Sequence, residues 1–139
     1  MIAPAFAAQP GSLDISFDAD ISENGVVYVI VPQLDGKILI GGAFESVAGV
    51  PKANIARLNT DGTLDPAFNP GTAVDVGFVT AIAVDPNGRI LVGGTFNSSV
   101  YSNPANLARL NENGSVDSSF NPFLYIDGPV NAVAIPDED

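Results

Sequence analysis

Three aspartates recur at matched places along the chain, Asp14, Asp65 and Asp117, each three residues before a phenylalanine. Carboxylates repeated in this way invite two chemistries. One is glycoside hydrolysis, in which paired carboxyl groups divide the general-acid and nucleophile or base roles. The other is cation binding, because NTDGTLD (59–65) and NENGSVD (111–117) fit the latter part of a D-x-D-x-D-G-x-x-D calcium loop. Neither is favoured. A catalytic pair needs unlike surroundings to separate two pKa values, whereas equivalent positions of a repeat supply like ones. In the calcium pattern the first ligand position falls on Arg57 and Arg109. A guanidinium there repels a cation and is placed to pair with Asp65 or Asp117. The expected role of Arg57, Asp65, Arg109 and Asp117 is therefore a charged staple across a turn. No cofactor and no metal are expected, with Ca²⁺ as the lesser alternative.

The remaining composition narrows the chemistry further. The 139 residues contain no histidine and no cysteine, which removes every His-dependent triad, thiolate nucleophile and Cys or His zinc site. With no unique acid pair either, an enzyme is not expected. Sixteen carboxylates against five lysines and arginines give a net charge of -11, which repels phosphate backbones and argues against a nucleic-acid partner. No apolar run approaches the ~20 residues of a membrane span. Residues 1–10, MIAPAFAAQP, read as a flexible terminus or the remnant of a signal peptide; Ala5-Phe6-Ala7 has the small-x-small form of a cleavage site, without a basic segment before it. The sequons at Asn97 and Asn113 are of a kind common by chance.

The elements that position these residues come from a repeat. GSLDISFD (11–18) returns as GTLDPAFNP (62–70) and GSVDSSFNP (114–122), and VYVIV (27–31) as VTAIAV (79–84) and VNAVAI (130–135). DGKILIGGAF (35–44) returns as NGRILVGGTF (87–96), and NIARLNTDG (54–62) as NLARLNENG (106–114). All offsets are 51 or 52, with units at about 11–61, 62–113 and a partial 114–139, so that residues 11–139 form one repeat region. Each unit offers four apolar segments separated by Asp-Gly or Asn-Gly pairs, the hairpin signal, and no stretch carries a capped 3.6-residue stripe. The fold class expected is all-β: propeller-like blades of four antiparallel strands, about two and a half of them, an incomplete ring since closure takes roughly 4 to 8 blades. Phe17, Phe44, Phe68, Phe96 and Phe120 are expected in the core. Gly41, Gly42, Gly93 and Gly94 are expected where neighbouring backbone or blades approach closely.

The strings D-G-K-I-L-I-G-G-x-F and N-I-A-R-L-N-x-D-G-x-L-D-x-x-F-N-P resemble the bacterial delta-60 repeat over residues 11–139. That resemblance implies a β-propeller and an extracellular or cell-surface setting, and no reaction. Residues 44–54 and 96–106 differ most between units while their flanks hardly change, as loops on a binding face do. A protein or glycan partner is expected there, with Tyr101, Asn103, Phe123 and Tyr125 as contacts in an adhesion or binding module. The alternative is structural: open blade edges that associate with copies of the chain or with the rest of a longer propeller.

Overall fold

The computed structural model describes residues 17–97, 106–120 and 126–136. Tyr101, Asn103, Phe123 and Tyr125 lie outside the described residues, as do Asp14 and the N-terminal segment. Among the described residues there are eight strands and no helix. They are β1 (Val26–Pro32), β2 (Ile38–Ala43), β3 (Ser46–Val47), β4 (Val50–Pro51), β5 (Ile55–Leu58), β6 (Val76–Val84), β7 (Ile90–Asn97) and β8 (Leu107–Leu110). Two antiparallel sheets of order β1-β2-β5 and β6-β7-β8 repeat one design, and β3-β4 is a small hairpin in the loop of the first.

Each sheet turns from its first to its second strand at the Asp-Gly or Asn-Gly pair. Only the glycines take positive φ, +84° at Gly36 and +79° at Gly88. The amides of Gly36 and Gly88 donate to the carbonyls of Gln33 and Asp85 at 3.0 and 2.9 Å. The connection is thus a turn closed by one left-handed glycine, rather than a two-residue turn with both central residues at positive φ.

The fourth segment of each unit is shorter than a strand. It meets its neighbour only through the bridges Leu58–Leu64 and Leu110–Val116. The aspartate that follows ends the ladder. Asp65 N donates to Arg57 O at 2.8 Å, and then Asp65 Oδ1 accepts the Ala67 amide at 2.9 Å and bends the chain toward Phe68. In the second unit Asp117 Oδ1 takes the Ser119 amide at 3.0 Å in the same way.

The paired glycines have two separate uses. A Cβ on Gly42 would collide with the Val26 carbonyl oxygen, and one on Gly94 with that of Phe78, both on the adjacent strand of the same sheet. The ladder shifts register there, between Val27 and Val29 and between Val79 and Ala81, so Tyr28 and Thr80 are the bulged residues. Gly41 and Gly93 instead face the next unit. Val79 Cγ1 lies 2.6 Å from the Cβ position of Gly41, and Val130 Cγ1 lies 2.6 Å from that of Gly93.

The core is the seam between the sheets. Leu39 and Ile55 of the first meet Val79, Ile82, Ile90, Val92, Ala108 and Leu110 of the second, with Phe68, Ala73 and Val74 from the linking segment. A smaller cluster, Ile40, Phe44, Val47, Ala56 and Leu58, lies on the opposite face of the first sheet under Ala19 and Ile21. Phe44, Phe68 and Phe96 are buried as expected, and Phe120 is partly so. Phe17 is not core: it is 37% exposed. Phe68 is enclosed by Arg57 above its ring and by Gly114 of the next unit beside it, whereas Phe17 has Gly62 beside it and, among the described residues, no arginine over its ring.

The third copy of the first strand also departs from expectation. Residues 130–135 lie against the second sheet but form no strand. A strand is defined by its ladder, and among the described residues none pairs with residues 131–136.

Candidate functional site

The charged residues of the repeat converge on the seam between sheets. Arg57, buried on β5, donates from Nε to Asp65 Oδ2 at 2.8 Å and from Nη1 to the Glu112 carbonyl of the following unit at 2.7 Å. Its guanidinium also stacks over Phe68, 5.1 Å from the ring centre. Lys37 Nζ reaches the same Asp65 Oδ2 at 2.8 Å. Burial alone would raise the Asp65 carboxyl, but hydrogen bonds from Lys37, the Ala67 amide and Arg57 outweigh it and hold the pKa at about 2. The carboxylate is therefore ionised at any ordinary pH, with two cations on Oδ2 and the Ala67 amide on Oδ1. It is a poor general acid and a poor metal ligand.

The second unit repeats the arrangement with one change. Arg109 Nε donates to Asp117 Oδ2 at 2.8 Å, and the guanidinium lies 4.8 Å from the Phe120 ring centre. Asp117 is held below the ordinary carboxylate range, first by the Ser119 hydroxyl and then by the Ser119 amide and Arg109. Arg89, which stands where Lys37 does, turns away from Asp117 and pairs with Asp85 at 2.6 Å. Gln33 holds the place of Asp85 in the first unit and offers no charge, so Lys37 goes to Asp65 instead. The Gln33 side-chain oxygen is buried there without a hydrogen-bond partner among the described residues.

A second clasp was not read from the sequence. Asn54 and Asn106 are buried at 5% and 6% exposure. Asn54 Nδ2 donates to Val74 O at 2.7 Å, and Asn106 Nδ2 to Ile126 O and Gly128 O at 3.1 and 2.9 Å. Their Oδ1 atoms accept the amides of Phe44 and Phe96 at 3.4 and 3.1 Å. The signal was present: an asparagine opens both NIARLN and NLARLN, just ahead of the strand that carries the arginine. A buried amide in that position needs both its donor and its acceptor satisfied.

No group of three or more Asp or Glu among the described residues is arranged to hold a metal ion. No helix is long and apolar enough to cross a membrane. A groove of about 670 Å³ lies where the first-strand ends of the three units meet, lined chiefly by Val31, Leu34, Val84, Pro86 and Ile135.

The outer faces carry the clearest asymmetry. Ile82 on β6 packs against Gly41 of the first sheet and is 8% exposed. Ile30 holds the same place on β1, faces away from the second sheet and is 63% exposed. At the other end Leu91, Leu107 and Arg109 are only half-buried, although their equivalents Leu39, Ile55 and Arg57 are at 0%, 0% and 5%.

Antiparallel sheets of one design, stacked face to face at a repeat of about 52 residues, are the blades of a β-propeller. The chain belongs to the family described as "Domain of unknown function (DUF5122) beta-propeller", whose model matches residues 33–68 and 86–120, just over half of the sequence. Each matched segment runs from the hairpin turn through the Gly-Gly strand and the arginine strand to the stacked phenylalanine. No curated protein and no solved structure matches the chain.

Proposed function

We propose that the chain is a non-enzymatic, extracellular propeller segment that acts by assembly, its open blade faces packing on further blades of the same kind. Those blades belong to copies of the chain or to the rest of a longer propeller. The exposure of Ile30 beside the burial of Ile82 carries this reading. Inside the chain, that position on one blade is covered by the glycine face of its neighbour. The same position on the first blade carries the same apolar chemistry uncovered. Such a face favours a partner shaped like the neighbour already seen. The carboxylates at the seam are engaged by arginine and lysine, which fits a structural role for them. The delta-60 assignment and the extracellular setting are supported by the repeat strings themselves.

A protein or glycan contact through the loops is the second reading, favoured by β3-β4. This hairpin projects Ala48, Gly49 and Val50 into solvent from a base held by Asn54.

Light scattering across a concentration series tests the assembly reading. The particle mass is expected to rise above 14.3 kDa with concentration, and Ile30→Asp, at an exposed position, is expected to weaken association at least tenfold without unfolding the chain. A folded monomer at every concentration overturns assembly through copies of the chain.

A further inference from the structure

We infer that Asn87 is a self-modifying residue, whose carboxamide condenses with the backbone nitrogen of Gly88 and is then hydrolysed to an aspartyl or isoaspartyl link. In the first step the Gly88 nitrogen loses its proton and bonds to Asn87 Cγ. The Cγ–Nδ2 bond breaks and ammonia leaves, which closes a cyclic imide. Water then opens either carbonyl–nitrogen bond of the imide. Nothing is oxidised or reduced, and water is the only co-reactant. A following glycine permits the attack, because no Cβ shields its nitrogen.

The sequence holds three Asn-Gly pairs, Asn24-Gly25, Asn87-Gly88 and Asn113-Gly114, and the structure separates them. Tight Asp-Gly or Asn-Gly turns follow β1, β5, β6 and β8. In three of them the turn's own Asp or Asn side chain accepts the amide two residues on. Asp35 Oδ1 accepts from Lys37 N, Asp61 Oδ1 from Thr63 N and Asn113 Oδ1 from Ser115 N, each at 3.0 Å. In the turn after β6 that amide is already taken: Asp85 Oδ1 accepts from Arg89 N at 2.9 Å and from Asn87 N at 2.8 Å. The Asn87 side chain is left exposed, with no hydrogen bond among the described residues.

The other two pairs are closed to the rearrangement that attack requires. Asn113 Oδ1 also accepts from Ser115 Oγ at 2.7 Å, Asn113 O accepts from Asn69 N at 2.8 Å, and Gly114 is buried against Phe68. Gly25 donates to Ser22 O at 2.6 Å, and Ile21 Cγ2 lies 2.5 Å from its Cβ position. Around Gly88 the nearest atom to that position is Glu112 Cγ, at 3.4 Å on a flexible side chain. The products differ in their fit. Asp35 stands at the same repeat position as Asn87, so the turn already accommodates an aspartyl residue. The isoaspartyl link adds a main-chain carbon ahead of Gly88, whose amide closes the turn on Asp85 O at 2.9 Å. Either product adds a negative charge next to the glycine on which the Glu112 side chain lies.

The test incubates the full folded chain at mildly alkaline pH and follows each asparagine by peptide mapping, with fragmentation to separate aspartyl from isoaspartyl products. Asn87 is expected to convert at least tenfold faster than Asn113 and faster than Asn24. In urea, where the turns are lost, the three rates are expected to converge. Asn113 or Asn24 keeping pace with Asn87 in the folded chain overturns the inference, as does an Asn87 that converts only in urea. Rates that stay apart in urea assign the difference to local sequence and also overturn it. Asp85→Gln copies the Gln33 of the first blade and frees the Arg89 amide for Asn87 Oδ1, as Lys37 N is held by Asp35. Conversion at Asn87 is expected to fall toward the Asn113 rate in that variant. An unchanged rate in the variant, with its fold verified by circular dichroism, overturns the inference.

Discussion

Arg57 Nη1 donates at 2.7 Å to the carbonyl of Glu112, a residue 55 positions later in the chain, and so ties one blade to the next. The same guanidinium holds Asp65 within its own blade, so a single side chain fixes both the turn and the seam. Arg109 makes the within-blade contact, to Asp117, but has no third-unit carbonyl in reach among the described residues.

Loss of this arginine is expected to be costly. Arg57→Ala leaves Asp65 buried with Lys37 as its remaining cation and frees the Glu112 carbonyl, a loss of about 3 kcal/mol by the measure of broken buried pairs. Arg109→Ala, at a more exposed site, loses distinctly less. Urea denaturation of the two variants side by side checks the order.

The glycines are expected to differ within each pair. Gly41→Ala meets only side-chain methyls of Val79, Val29 and Ile82, which can shift, whereas Gly42→Ala meets the Val26 backbone. Gly42→Ala is therefore the more destabilising, by about 1–3 kcal/mol relative to Gly41→Ala on the scale of core overpacking. Thermal unfolding midpoints of the pair, and of Gly93→Ala against Gly94→Ala, measure it.

Acid sensitivity follows from Asp65. Its folded pKa, about 2, lies below its ordinary value of 3.8, so the folded state binds the proton more weakly than the unfolded chain does. The stability this contributes is complete above about pH 4 and is lost as pH falls toward 2. Asp65→Asn is expected to flatten that part of the stability profile, measured by denaturation between pH 5 and 2.

Asn54 combines a clasp with an unusual backbone, φ +65°. Asn54→Ala strands the Val74 carbonyl and gives up the asparagine's tolerance of the left-handed region, a combined loss of about 2–3 kcal/mol. Asn54→Gly removes the strain but not the lost bond, and retains about 1 kcal/mol more stability. The difference between the two variants in denaturant separates the hydrogen bond from the conformation.

Much of the site was legible in the spacing. An arginine eight residues before an aspartate on either side of an Asp-Gly or Asn-Gly turn predicted a pairing across that turn, and the 2.8 Å contacts lie there. The further reach of Arg57 to Glu112 was not legible, because it depends on which face of one blade meets which edge of the next. Lys37 and Arg89 show the same limit. They occupy one repeat position yet choose different carboxylates, since Gln33 replaces Asp85 four residues upstream. The asparagine clasp was visible as a repeated letter, but its partners lie 20 and 22 residues away in segments with no motif of their own.

The sequence by itself determined the repeat, the all-β character and the positions of the turns. Those depend on local alternation, on glycine at the turns and on a spacing of 51 or 52, all properties of neighbours along the chain. Tertiary structure alone decided which copies of a repeated residue are covered. Ile30 and Ile82 carry the same letter in the same local pattern, yet they are 63% and 8% exposed. Burial is conferred by the blade that packs alongside, and for the first blade's outer face the described residues contain none.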